Sequence, residues 1–138
     1  MTTAHNVLYT GKTHTTGGRS GAARSSDGNL DIKLSPPGSG GAGTNPEQLF
    51  AAGWSACFIG ALNKAAVKLG TKLPADLAVN AEVDLALDDG EYSLQARLNV
   101  SLPGVEAGLA QQLIELAHTT CPYSKMVKNG IEAEVKLA

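Results

Sequence analysis

The sequence predicts an α+β domain with elements in the order β-β-α-β-β-α-β, a long buried central helix lying against antiparallel sheet. Three observations carry the prediction. The stretch TNPEQLFAAGWSACFIGALN, Thr44 to Asn63, holds no charged residue from Leu49 to Leu62, and its large apolar side chains spread around the helical wheel. Two runs of alternating apolar and polar residues, Leu77 to Leu87 and Tyr92 to Leu102, flank Asp88-Asp89-Gly90 and read as a long β-hairpin. A second apolar stripe, Leu109, Leu113, Ile114, Leu116 and Ala117, marks a helix from about Glu106 to His118.

In chain order, the loose alternation from Asn6 to Thr16, with Val7, Tyr9 and several threonines, predicts a first strand. Gly17 to Gly21 makes a corner. Asp27-Gly28 is a turn, after which Leu30, Ile32 and Leu34 form a second strand with one buried face. Pro36 to Gly43, PPGSGGAG, is a loop that delivers the chain to the central helix. Asn45 as cap, Pro46 at the first helical position and Gln48 three after the cap mark the helix start. The pattern continues through Ala65, Ala66, Val67 and Leu69 to Gly70, a left-handed cap, for a length of about 36 Å.

In the hairpin, Glu82, Asp84, Ser93, Gln95, Arg97, Asn99 and Ser101 form a wet face, so the sheet covers the helix on one side only. Pro122 opens a short third helix that stops near Asn129-Gly130, and Ile131, Ala133, Val135 and Leu137 predict a closing strand. There is no internal repeat, and residues 1–138 are expected to form a single domain. A helix apolar all round but covered on one side needs a second covering surface, and a partner subunit is expected to supply part of it.

A net charge of −2, scattered lysines and arginines and few aromatics exclude a nucleic-acid footprint and a basic membrane-binding face. The central run is shorter than the ~20 apolar residues of a membrane span and is broken by Gly53, Ser55 and Gly60. MTTAHNVLYTGK lacks the features of a signal peptide, so a cytoplasmic location is expected. Two cysteines in a reducing compartment are two inert thiols, a metal pair or a redox pair.

Cys57 lies in the middle of the central helix, where the ordinary role of a free cysteine is that of a small hydrophobe. Cys121, in Thr120-Cys121-Pro122, stands at a helix N-terminus, either as a buried cap or as a thiol whose anion the helix dipole favours. His118 precedes it by three residues, but His5 and His14 have no ligand spacing to it, and no metal is expected. A buried thiol needs a cation to become a nucleophile, and the chain has only three arginines. Arg19, in its glycine-flanked corner, is either a solvated loop charge or that cation. Glu47, in the first helical turn, is either a partner of the dipole or the carboxylate that orients an arginine.

The segments GGRSG, SSDGNLDIKLS, GTNPEQLFAAGWSACFIGAL and AHTTCPYSK, in this order and spacing, resemble the organic hydroperoxide resistance proteins, the Ohr branch of the Ohr/OsmC family. Trp54 stands where that family is expected to have tyrosine. The resemblance implies an OsmC-like fold and a catalytic set of Cys57 as the peroxide-attacking residue, Cys121 as the resolving residue, and Arg19 and Glu47 as supports of the thiolate. It implies reduction of organic hydroperoxides to alcohols through a Cys57 sulfenic acid and a Cys57–Cys121 disulfide. The disulfide would be recycled by a dithiol such as dihydrolipoamide or a lipoylated protein, with no cofactor. The apolar Phe50, Trp54 and Phe58 are the expected substrate-binding residues. The alternatives are an OsmC-type peroxidase of broader preference and a non-catalytic dimeric redox-sensing or binding protein.

On an unbroken helix Glu47 and Cys57 lie ~15 Å apart along the axis, too far for one arginine to serve both. Two such helices crossing antiparallel near Ala52, where Ala51-Ala52-Gly53 are small, would set Glu47 of one beside Cys57 of the other. An intertwined homodimer with composite sites is therefore expected.

Overall fold

The computed structural model describes residues 5–138 and is an α+β arrangement of five strands and three helices among them. It divides into two compact units, up to Leu49 and from Phe50 onward.

In the first unit β1 (Thr13–Thr16), β2 (Ala22–Ser25) and β3 (Asp31–Lys33) form an antiparallel sheet in sequence order. The first strand is shorter than the alternation predicts: Val7, Leu8 and Tyr9 are exposed and unpaired with the sheet, which begins at the threonines. The predicted second strand is present as β3, and β2, which the sequence does not announce, pairs with it as a hairpin. Its turn is built as Asp27-Gly28 suggests, with Asp27 accepting from the Ser25 hydroxyl at 2.6 Å and from the Asn29 backbone N–H at 3.0 Å. Between β1 and β2 the glycine-rich corner forms one 3-10 turn, Gly18–Ser20. Beyond β3, the Pro36–Gly43 stretch carries no regular structure and returns the chain so that Thr44 donates to Lys33 O and accepts from the Ser35 N–H, both at 2.9 Å.

Helix α1 (Pro46–Lys68) starts where predicted, the Asn45 side chain accepting from the Gln48 N–H at 2.8 Å. Gln48 does not complete a capping box with Asn45; its side-chain oxygen accepts from the Thr44 hydroxyl. Gly70, at φ +68°, closes the C-terminus, with the Thr71 N–H reaching back to Ala66 O.

In the second unit β4 (Ala78–Asp88) and β5 (Glu91–Ser101) pair over their whole length, from Ala78 opposite Ser101 to Asp88 opposite Glu91. The two-residue loop Asp89-Gly90 has positive φ at both positions, 50° and 80°, the conformation of a twisted type I′ turn. The wet face is as expected, with Arg97 bridging Glu82 and Asp84. On the other face Val79, Leu98 and Val100 pack against the core, while Leu85, Leu87, Tyr92 and Leu94 near the tip stay exposed.

Helix α2 (Ala107–Thr120) is capped by Glu106, whose carboxylate takes the N–H groups of Gly108 and Leu109. Helix α3 (Pro122–Asn129) opens on its proline and closes at Gly130. Leu62, Leu113 and Ala117 form the centre of the core with Trp54, Phe58, Ala61 and Ala65.

Two expectations are corrected. Residues 130–138 form no closing strand: Ile131, Val135 and Leu137 are exposed, because alternation makes a strand only where an edge offers backbone partners. And α1 is not buried all round; Trp54, Phe58, Ala61, Leu62, Ala65 and Ala66 are covered, whereas Ala52, Ala56, Gly60 and Val67 face outward.

Candidate active site

Each unit holds one constellation of the residues singled out from sequence. In the second unit Cys57, on α1, meets Cys121, which lies between α2 and α3. The Cys121 N–H bonds to Ala117 O at 2.8 Å and its carbonyl accepts from the Lys125 N–H at 3.0 Å, so one residue ends α2 and starts α3. That double anchoring fixes its backbone, from which the thiol projects. The Cys121 thiol points at Cys57 with its sulfur 3.4 Å away, and both thiols are reduced. Cys121 is fully buried and Cys57 half-buried, less enclosed than its place in an uncharged helix suggests.

Burial pushes the Cys57 thiol above its ordinary value; the backbone N–H of Tyr123 opposes this, and the hydrogen bond and charge of Cys121 add to the rise. Sequence reasoning assigns the N-terminus of α3 to Cys121. The N–H at its second helical position, that of Tyr123, acts to lower the Cys57 thiol as well.

Of the three expected substrate-binding aromatics, Phe50 stacks on Trp54, with centroids 5.6 Å apart, and on Tyr123 at 6.3 Å. Trp54 and Phe58 are buried, and they line one end of an open cavity of about 490 Å³ with Val100, Ile114, His118 and Val127. Neither cysteine lines that cavity. Gly53 lies beneath Tyr123: a Cβ added there would sit 2.9 Å from the phenolic oxygen. Tyr123 and Ser124 are the residues sequence reasoning left without a role. The one available signal was the lone tryptophan, since a buried indole N–H requires an acceptor, and Ser124 Oγ supplies it at 3.1 Å.

The first unit holds Arg19 and Glu47. The guanidinium donates to both carboxylate oxygens, at 2.9 and 2.8 Å, the two-pronged geometry that arginine forms best. Glu47 is mostly buried, and the Arg19 hydrogen bonds hold its carboxyl below the ordinary carboxylate range. Of the two readings left open for Glu47, orientation of an arginine is therefore realised. Arg19 is in turn a held cation rather than a freely solvated loop charge. Among the described residues no group of three histidine, cysteine or acidic side chains converges on a common point, and no helix is long and apolar enough to cross a membrane.

A juxtaposed pair of reduced thiols, one of them enclosed in apolar surface, is chemically equipped to form a disulfide after one sulfur is oxidised. Comparison with known proteins agrees in kind. The family described as OsmC-like protein matches residues 38–136. The chain is 42% identical to an organic hydroperoxide resistance protein of Xanthomonas axonopodis pv. citri, with all of both chains covered. It is 38% identical to the organic hydroperoxide resistance protein OhrB of Bacillus subtilis over 95% of this chain and 98% of the relative. The crystal structure of that OhrB superposes with a TM-score of 0.83 over 89% of this chain and 93% of the other, at 39% identity. An organic hydroperoxide resistance protein from Elizabethkingia anophelis, solved with thiocyanate bound, matches with a TM-score of 0.78 at 41% identity, over 93% of this chain and 94% of that one.

Proposed function

The chain belongs to the OsmC-like family, and from that premise we propose that it is a thiol-dependent peroxidase that reduces organic hydroperoxides to alcohols. Its relatives named for organic hydroperoxide resistance support a peroxide-detoxifying role. The single observation that carries the reading is the 3.4 Å separation of the Cys57 and Cys121 sulfurs.

The Cys57 thiolate attacks one peroxide oxygen; the O–O bond breaks, the alkoxide takes a proton and leaves as alcohol, and the sulfur keeps a hydroxyl as sulfenic acid. Cys121 then attacks that sulfur. The S–S bond forms as the S–O bond breaks, and the departing hydroxide takes the Cys121 proton to leave as water. An external dithiol, of which dihydrolipoamide or a protein-bound lipoyl group is our expected example, returns both thiols and becomes a disulfide itself. The apolar side chains assigned to substrate, Phe50, Trp54 and Phe58, favour an organic peroxide over hydrogen peroxide. The chain acts as a single OsmC-like domain in the cytoplasm, without cofactor.

We further propose a homodimer in which each site takes Cys57 and Cys121 from one chain and Glu47 from the partner subunit. Ten positions separate Glu47 from Cys57 on α1, ~15 Å of helical rise. Because Arg19 is held by Glu47 of its own chain, the arginine travels with the glutamate. The outward row Ala52, Ala56, Gly60 has the four-residue spacing along which two helices approach closely. The experiment is a turnover assay with dihydrolipoamide, comparing cumene hydroperoxide with hydrogen peroxide. A clear preference for the organic peroxide is expected; equal use would favour a broader OsmC-type peroxidase, and no turnover with either a redox-sensing or binding protein.

A further inference from the structure

The two cysteine-bearing segments are joined by a second contact one helical turn from the sulfurs. Trp54 precedes Cys57 by three residues on α1, and Ser124 follows Cys121 by three on α3, so each partner lies on the same face of its helix as the corresponding cysteine. The Trp54 indole N–H donates to Ser124 Oγ at 3.1 Å, and the Cys121 thiol meets Cys57 at 3.4 Å. The two contacts form successive rungs between the same pair of segments. Ser124 is 1% exposed and Trp54 7% exposed, so neither can exchange its partner for water without opening the core. Tyr123, between Cys121 and Ser124 in the chain, rests its phenol against Gly53 of α1 and adds a further contact between the two segments.

We propose that the Trp54–Ser124 hydrogen bond is a positioning device for disulfide closure: it fixes the register of α3 on α1 so that Cys121 stays within reach of an oxidised Cys57. Neither residue touches the reacting sulfurs in this role. The inference rests on the peroxidase reading for its use, since closure competes there with a second peroxide that would carry the sulfenic acid to sulfinic acid and release another alcohol. Its geometric content is independent of that reading. An indole and a hydroxyl that merely satisfied one another would leave the closing rate to the cysteines alone.

The test is Ser124→Ala, with two readouts. The first is the equilibrium between the dithiol and the Cys57–Cys121 disulfide in glutathione buffers, which needs no peroxide. Loss of the buried hydrogen bond should lower the effective concentration of one thiol at the other about tenfold. The second is partition under excess cumene hydroperoxide, read by intact mass: the alcohol burst keeps its parental rate while the sulfinic form accumulates. Trp54→Phe, which keeps a ring and drops the donor, should show the same glutathione shift, and the double variant should add nothing to either single loss. If Ser124→Ala does not fold, the Trp54→Phe shift decides. A parental glutathione equilibrium in the folded variants overturns the proposal. A shifted equilibrium in a protein whose parent makes no alcohol sustains the positioning role and refutes the peroxidase.

Discussion

Arg19 grips both carboxylate oxygens of Glu47, residues 28 positions apart that a glycine corner and a helix N-terminus bring into one two-pronged ion pair. The pair makes the arginine a fixed charge, and a fixed charge is what a thiolate in apolar surroundings requires. Arg19→Ala is expected to leave Cys57 titrating above the ordinary cysteine range, where burial and the neighbouring Cys121 put it, and to slow the peroxide step at neutral pH at least tenfold. Glu47→Gln should give a smaller loss, because the arginine survives but loses its two-pronged carboxylate pair. Thiolate absorbance followed against pH checks both; coincident curves for Arg19→Ala and parent would show that Arg19 does not act on Cys57.

The same pair sets an acid limit. The Glu47 carboxyl titrates below its ordinary value because Arg19 favours the ionised form. Its contribution to stability is therefore fully present above the unfolded-state value and is lost as pH falls through the lower folded-state value. Acid unfolding of Glu47→Gln should lack that part of the pH dependence, while stability near pH 7 changes little for an ion pair whose arginine is nearly half exposed. Identical acid limbs in variant and parent would mean the pair is not formed in solution.

Cys57→Ser should abolish turnover. Cys121→Ser should still release one equivalent of alcohol and then pass to the sulfinic acid under excess peroxide, since nothing in the chain resolves it. Sustained turnover of either variant with a dithiol would rule out the two-cysteine cycle.

Gly53→Ala opposes two effects of known size. Alanine improves helix propensity by about 1 kcal/mol, and overpacking costs about 1–3 kcal/mol where the obstacle cannot yield. The Tyr123 ring, stacked on Phe50, holds its oxygen 2.9 Å from the new Cβ, so the clash should win and the midpoint of thermal unfolding should fall. Tyr123→Phe in the same chain removes the obstructing oxygen, leaves ring carbons at 3.3 and 3.4 Å, and should restore part of the loss. A stabilised single variant would show that Tyr123 moves freely.

The composite site is tested by mixing chains. Arg19→Ala and Cys57→Ser are each expected to be inactive or nearly so alone, but in a heterodimer the first chain supplies both thiols and the second supplies Arg19 and Glu47. Co-expression with random pairing should restore about a quarter of the parental sites. No gain over the two separate variants would place each site within one chain.

What the sequence discloses follows from what is local. Asp89-Gly90 between alternating runs announces the β4–β5 hairpin, and Asn45-Pro46 and Gly70 bound α1, because caps and turns are decided by a few adjacent residues. Strand β2 is not legible: Ala22-Ala23-Arg24-Ser25 has no alternation and no β-branched residue, and it is a strand because β1 and β3 pair on its two sides. The tail shows the converse, with alternation from Ile131 to Leu137 but no strand in the single chain. Both cysteines stand out by their local settings, but their meeting across 64 positions is invisible to spacing and was implied only by family resemblance. Ser124 had no signal of its own; its importance arises from an indole 70 positions away.

The most direct measurement is a titration of the reduced protein with cumene hydroperoxide without added dithiol, following free thiols, alcohol and intact mass together. One alcohol formed for each two thiols lost, with Cys57 and Cys121 recovered as an intrachain disulfide, is the predicted result. Loss of both thiols without alcohol, or alcohol formed with both thiols still free, would contradict a peroxidase cycle running through this cysteine pair.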